Sequence, residues 1–252
     1  TLPILGYNVD DGARLGVKHT NIKQEFGKPE FGSKTSLTAV VTTNLNASLN
    51  YQFIKRRIGT LWDVNFELYG NSRDTRHQYF YGFGNDTNVN DDLRTDKYYR
   101  NDSKMLGAKI GLLRQFWTKS HFIPSIRVEY KDVSASPLNS EDASIYDGYS
   151  NSIGLGTNTL VGGDMELLLD FTDNKNLPKD GTRLQLNNHT FYNTAEDLDL
   201  GGRLDAEAQV YISAGAKKRI TLGLKGGYSQ TYGDLPFYQL SSIGQQSNNR
   251  GI

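Results

Sequence analysis

In the stretch Leu204-Asp205-Ala206-Glu207-Ala208-Gln209-Val210-Tyr211-Ile212, the residues Leu204, Ala206, Ala208, Val210 and Ile212 fall on one face. Asp205, Glu207 and Gln209 fall on the other. A period of two is the signature of a β-strand with one apolar face. The same rhythm recurs on both sides of this stretch. Downstream, Ile220, Leu222 and Leu224 alternate with Thr221, Gly223 and Lys225. Upstream, Met165, Leu167, Leu169 and Phe171 oppose Asp164, Glu166 and Asp170, and Leu106, Ala108, Ile110 and Leu112 alternate with Gly107, Lys109 and Gly111. Trp62, Val64, Phe66 and Leu68 likewise oppose Asp63, Asn65 and Glu67. The segments run to roughly nine to twelve residues, the length a tilted strand needs to cross a bilayer.

A soluble sandwich also alternates. The character of the polar face separates the two. A water-facing wall is rich in Lys and Glu, whereas these faces mix charge with Gly, Ser, Asn and Gln, which suits a crowded, hydrated lumen. Composition agrees: 26 Gly and 15 Tyr against 2 Met and 6 Pro favour sheet over helix. No run approaches the ~18 apolar residues of a membrane helix, and a barrel averages out as hydrophilic, in line with the negative mean hydropathy. With no Cys there is no disulfide or thiol chemistry. Lys+Arg and Asp+Glu balance at 28 each, so bulk charge gives no case for a nucleic-acid partner.

About eleven strands are predicted, near 3–9, 12–20, 34–44, 46–54, 60–70, 103–116, 119–131, 162–172, 181–193, 202–214 and 218–232. Their connections alternate. Residues 117–120, 174–181 and 214–218 read as tight turns, while 71–102, 132–161 and 233–252 are long and polar. Long loops at one end and short turns at the other mark an outer-membrane barrel, with 71–102 and 132–161 outside the cell and 174–181 and 214–218 in the periplasm. The 21–33 connection departs from this by being long on the turn side. Trp62, Trp117, Tyr51, Tyr69, Tyr79, Tyr81, Tyr130 and Tyr228 lie near strand ends, where aromatic girdles meet the membrane interfaces. Thr1 is no initiator Met and Ile252 falls inside a polar stretch, so the chain is expected to be one piece of a longer precursor.

Reactive constellations are missing from the pattern. His19, His77, His121 and His189 are scattered without metal-ligand spacing. Asp170, Asp173 and Asp180 lack the rhythm of a Ca²⁺ loop and fit a turn closed by Asx hydrogen bonds. Gly82-Phe83-Gly84-Asn85 carries no Lys and precedes no helix, so it is no phosphate loop. Nothing resembles a nucleophile elbow. Asp63, Glu67, Arg127, Glu129, Arg183, Asp205 and Glu207 are expected to satisfy one another across the lumen. The chain is therefore read as neither an enzyme nor a holder of metal or cofactor.

Three passages carry a resemblance. Val161-Gly162-Gly163 through Asp170-Phe171-Thr172-Asp173-Asn174, followed by Leu177-Pro178-Lys179-Asp180-Gly181, resembles the strand–turn–strand signature of the BamA/TamA surface-antigen superfamily. Its marked positions here are Asp170, Asp173, Asn174, Pro178 and Gly181. Tyr79–Thr87 is similar to an aromatic–Gly–Asn loop of single-barrel members. Leu235-Pro236-Phe237-Tyr238, Ile243-Gly244 and Asn249-Arg250-Gly251-Ile252 resemble the family's sixth extracellular loop, whose motif is Arg-Gly followed by an aromatic. Ile252 stands where the aromatic is expected.

The resemblance implies an all-β, antiparallel transmembrane barrel of sixteen strands, of which eleven precede Arg250. Residues 1–252 would then form one truncated barrel domain, with 233–252 as the start of a plug-like loop. It implies a function in inserting or translocating proteins at the bacterial outer membrane. The mechanism implied is a weakly paired barrel edge that offers backbone groups to an incoming strand. The short first strand, Pro3–Asp10 with Gly6 inside it, fits a weak ladder. Partners implied are outer-membrane lipid and lipopolysaccharide, nascent outer-membrane proteins and envelope accessory subunits, without nucleic acid. Arg250 and Gly251 would anchor the loop inside the lumen, the guanidinium reaching carboxylates or carbonyls there. The alternative is a membrane anchor or passive pore serving an N-terminal enzymatic or binding domain outside this chain. A third reading is a soluble lipid- or ligand-binding barrel.

Overall fold

The computed structural model describes residues 1–8, 12–28, 30–44, 46–58, 61–73, 80–82, 90, 92–93, 97–117, 119–135, 143–149, 154–194, 200–215 and 220–240. Among the described residues eleven strands follow one another: β1 (Leu2–Asn8), β2 (Gly12–Lys23), β3 (Ser33–Thr42), β4 (Ala47–Ile58), β5 (Trp62–Asn71), β6 (Asn101–Phe116), β7 (Ser120–Ala135), β8 (Gly156–Asp170), β9 (Gly181–Asn193), β10 (Gly201–Ala214) and β11 (Ile220–Tyr232). Each pairs antiparallel with its sequence neighbours in one sheet ordered β1 to β11, which is open in this chain. Among the described residues no helix is long and apolar enough to cross a membrane.

The register shows a tilted wall. One line of directly paired residues runs Asn21, Thr35, Phe53, Phe66, Ile110, Ile126, Gly163, Thr190, Gly202, Tyr232. It begins near the turn end of β2 and finishes on the last residue of β11, at the long-loop end. Neighbouring strands are thus staggered steadily in one direction, as closure into a barrel requires.

The two faces separate as the alternation predicts. Leu106, Ile110, Leu222 and Leu224 are 63, 49, 57 and 58% exposed on the outer face. Leu167, Leu169 and Leu204 share that face but are half covered by neighbours. Exposed leucines in unbroken outward files are what lipid, not water, would solvate. The inner face carries Asp63, Ser125, Glu129, Lys131 and Asp164, all buried.

Several boundaries move. β7 runs to Ala135 and β8 starts at Gly156, so the 132–161 loop shrinks to 136–155. These ends lack apolar alternation because they stand above the apolar band. Asn158 there is fully buried by hydrogen bonds, donating to the Gly154 carbonyl at 2.9 Å and accepting from Asn193 Nδ2 at 2.7 Å. Likewise β2 extends to Lys23, shortening the 21–33 connection to 24–32. Two girdle assignments are corrected. Tyr69 points into the lumen and donates to Glu129 at 2.9 Å, because its position pairs on the inner face with Gly107. Tyr81 packs on Tyr99 in the loops, 5.1 Å between centroids. Tyr79 lies outside the described residues. Trp62 and Trp117 do stand outward at the turn end: Arg114 lies over the first at 5.6 Å, and the second packs on Phe116 and Phe171.

Candidate functional site

At the turn end, the connection between β8 and β9 gathers the family-like motif residues. Asp170 Oδ1 accepts from the Thr172 backbone N–H at 3.0 Å and from its hydroxyl at 2.5 Å. Asp170 Oδ2 accepts from Arg183 Nε and Nη2 at 3.1 and 2.9 Å. Asp173 Oδ1 takes the N–H groups of Lys179 and Asp180, and Asn174 Oδ1 takes those of Asn176 and Leu177. These are the Asx closures the composition suggested. Gly181 has φ +113°, and a Cβ there would sit 2.4 Å from the Phe171 carbonyl oxygen, so only glycine fits. Pro178 is half-buried in the same turn. Lys119 Nζ donates to the Thr172 carbonyl, and Ser213 N donates to Asp180 at 2.8 Å, which ties three turns together.

The 24–32 connection folds back onto the β4–β5 turn around Arg56. Arg56 pairs with Asp63 at 2.6 Å and Glu30 at 3.1 Å and lies 4.9 Å over the Phe31 ring. Glu25 pairs with Lys28 at 2.6 Å and with Lys55. Hydrogen bonds from Lys28 and Lys55 hold the Glu25 carboxyl down at about 2. Its length is therefore taken up in docking.

Along the lumen wall the charges satisfy one another. Asp164 receives Lys109 at 2.9 Å and Arg127 at 3.5 Å, and His189 Nδ1 lies 2.9 Å away. Glu67 accepts from Asn50, Arg203 pairs with Asp205 at 2.8 Å, and Lys225 pairs with Glu207 at 2.7 Å. Among the described residues no group of three or more His, Cys, Asp or Glu is placed to hold a metal ion.

At the opposite end, the segment after β11 turns inward. Leu235, Pro236, Phe237 and Tyr238 are buried, with a 3-10 turn over Phe237–Gln239. They join Phe80 and Tyr99 of the 72–100 loop and Ile145 and Tyr146 of the 136–155 loop, above a floor of Val133, Leu160 and Phe191. Phe80, Tyr146 and Phe237 form a triangle with centroids 5.1–5.8 Å apart. Asn101 Nδ2 donates to the Tyr146 hydroxyl at 2.7 Å, and burial pushes that phenol well above its ordinary range. The Lys131 ammonium lies 4.1 Å from the Tyr238 ring centroid. Gly154, at φ +110°, admits the close pass of Pro236, which a Cβ would meet at 2.8 Å.

The sequence marked 235–238 but not what holds it: Lys131, Asn101 and the aromatics of two other loops. Buried polar residues at the end of a strand pattern, such as Asn101 and Lys131, are the signal that could have found them. Arg250, Gly251, Ile243, Gly244 and most of Tyr79–Thr87 lie outside the described residues.

The Omp85 superfamily domain matches residues 7–251. Among solved structures, the crystal structure of BamA from Haemophilus ducreyi lacking POTRA domains 1-3 aligns with TM-score 0.68 at 14% identity, over 98% of this chain and 44% of that one. The likeness is one of fold, and the chain spans less than half the length of that relative. No curated protein matches the chain.

Proposed function

Since the chain belongs to the Omp85 superfamily of bacterial outer-membrane barrels, we propose that it supplies the first eleven strands of a sixteen-stranded barrel that inserts or translocates other proteins, its long loops facing out of the cell. The observation that carries the reading is the β1 edge. Among the described residues β1 pairs with β2 over seven residues, the shortest ladder in the sheet, and a Cβ built on Gly6 would meet nothing within 4 Å. A short ladder with little side-chain packing opens at low cost, and its unpaired N–H and C=O groups can template an incoming strand. The aromatic core that three connections build on the inner wall at the long-loop end supports this reading over a passive pore. The motif residues Asp170, Asp173, Asn174, Pro178 and Gly181 then act as a rigid periplasmic turn. The loop motif Arg250 and Gly251 lies outside the described residues; on this reading its guanidinium is assigned the anchoring of the segment that Leu235–Tyr238 begins. Partners on this reading are nascent outer-membrane proteins, envelope accessory subunits and membrane lipid.

The test is site-specific photo-crosslinking in cells making the full-length protein. A photoreactive residue at Leu5 should trap nascent barrel proteins, while one at Leu37, on the outer wall of β3, should not. Equal trapping at both sites, or none at Leu5, overturns the reading.

A further inference from the structure

We propose that the outer wall over β8–β11 holds one outer-leaflet glycolipid, with an acyl chain in a groove and its linkage carbonyl on a cluster of uncharged polar side chains above. The groove has a volume of about 520 Å³ and is almost wholly apolar. Ala206, Ala208 and Gly226 form its floor, Leu167 and Leu184 line one flank, and Tyr228 the other. Nothing lies within 4 Å of a Cβ built on Gly226, so this part of the floor is open space. A surface that faces hydrocarbon is solvated by acyl chains, and a concave one orders a chain where a flat one does not.

The second observation is polar. The outward positions next above the groove are Asn188 and Thr190 on β9 and Gln230 and Tyr232 on β11, at the ends of their strands nearest the long loops. Polar side chains on a lipid-facing wall are costly unless they find partners. Three of these, Asn188, Thr190 and Tyr232, satisfy one another in part. Thr190 Oγ1 donates to Asn188 Oδ1 at 2.8 Å, and Asn188 Nδ2 donates to the Tyr232 hydroxyl at 3.3 Å. The Tyr228 hydroxyl, on the groove flank, donates to Gln230 Oε1 at 2.7 Å. Gln230 is thereby oriented with its acceptor taken and its amide N–H groups available, among the described residues, to an external acceptor. An acceptor at the head of an apolar chain is an ester or amide carbonyl. No charged side chain belongs to the cluster, which suits a linkage region better than a phosphate. The cluster lies at the long-loop end, so under the orientation proposed above the lipid is one of the outer leaflet, where acyl-linked glycolipid resides.

The experiment is native mass spectrometry of the full-length protein, delipidated in detergent and titrated with a short-glycan lipopolysaccharide or with phosphatidylglycerol. The protein should keep one lipopolysaccharide. Ala208→Phe, which fills the groove, and Gln230→Leu, which removes the donors, should each weaken retention about tenfold. Ala108→Phe on the outer face of β6 should leave it unchanged. Each variant is checked for folding by its thermal unfolding. Equal retention in all folded variants means annular lipid only and overturns the proposal. Preference for phosphatidylglycerol overturns the outer-leaflet assignment, and a groove occupied by a second copy, seen as a dimer, overturns it too. None of these outcomes touches the insertion reading, which crosslinking at Leu5 decides.

Discussion

Asp170 is 1% exposed at its side chain, yet it meets four donors from Thr172 and Arg183. Removing the carboxylate would leave Arg183 facing the wall without its main partner. Asp170→Ala is expected to destabilise the barrel by about 2–3 kcal/mol, at the low end for a broken pair because Arg183 keeps some water. Unfolding in urea from detergent micelles measures this, and a change under 0.5 kcal/mol would sink it. Glu25 makes a pH-dependent case. Its carboxyl sits near 2 against an ordinary 4.5 because Lys28 and Lys55 donate to it. A depressed acid favours the docked 24–32 connection fully above the ordinary value and loses that contribution as the pH falls through about 2. Carboxyl NMR should place the Glu25 midpoint near 2 and move it up in Lys28→Met and Lys55→Met; a midpoint near 4.5 in the parent chain refutes the pairing. Asp170 and Asp173 were legible in the sequence as turn acceptors because Asx closures act over a few residues. Asp170's pairing with Arg183 was not, since it depends on the register of two strands.

Strands were the most legible elements, because period-two alternation is imposed along each one by lipid on one side and a wet lumen on the other. Leu204–Ile212 shows it without a break, and the structure puts Val210 and Ile212 outward with Glu207 inward on Lys225. The pattern fails where a strand leaves the membrane, which is why alternation does not mark 156–161 or 132–135 as strand. Tyr69 misled for another reason. Aromatics near strand ends mark interfaces only when they face out, and Tyr69 instead covers Gly107, where a Cβ would lie 2.4 Å from its ring. The faces yield a direct comparison. Leu222→Arg, placing a cation on the lipid face, is expected to cost ~2–4 kcal/mol in lipid vesicles. Lys225→Leu, on the lumen face and partly exposed, is expected to change stability by less than ~1 kcal/mol. Equal losses at the two positions would contradict the assignment of faces.

At the scale of the whole molecule, the cap over the lumen joins three loops that no periodicity links. Phe80, Tyr146 and Phe237 are spread over three connections, so the sequence shows aromatics in polar loops and gives no hint that they meet. Topology brings them together. The register climbs toward β11, so the segment leaving Tyr232 starts at the long-loop end and within a few residues packs Leu235, Phe237 and Tyr238 against Phe80, Tyr99, Ile145 and Tyr146. Phe237, nearly buried, touches Phe80, Tyr146 and Tyr238. Its removal leaves a cavity at the contact of all three loops, at a cost of ~3–5 kcal/mol for a well-packed aromatic. That cost falls on the cap, because the strands are held by their own ladders and do not need it. Phe237→Ala should therefore leave global unfolding of the full-length barrel almost unchanged while loosening the mouth. Protease added to intact cells should cut the 72–100 and 136–155 loops faster, and planar-bilayer conductance should rise. Tyr238→Ala, which strips the ring from the Lys131 ammonium, should act in the same direction through the inward segment alone. Unchanged conductance and protease resistance in both variants would mean that the lumen is closed by something other than this aromatic core.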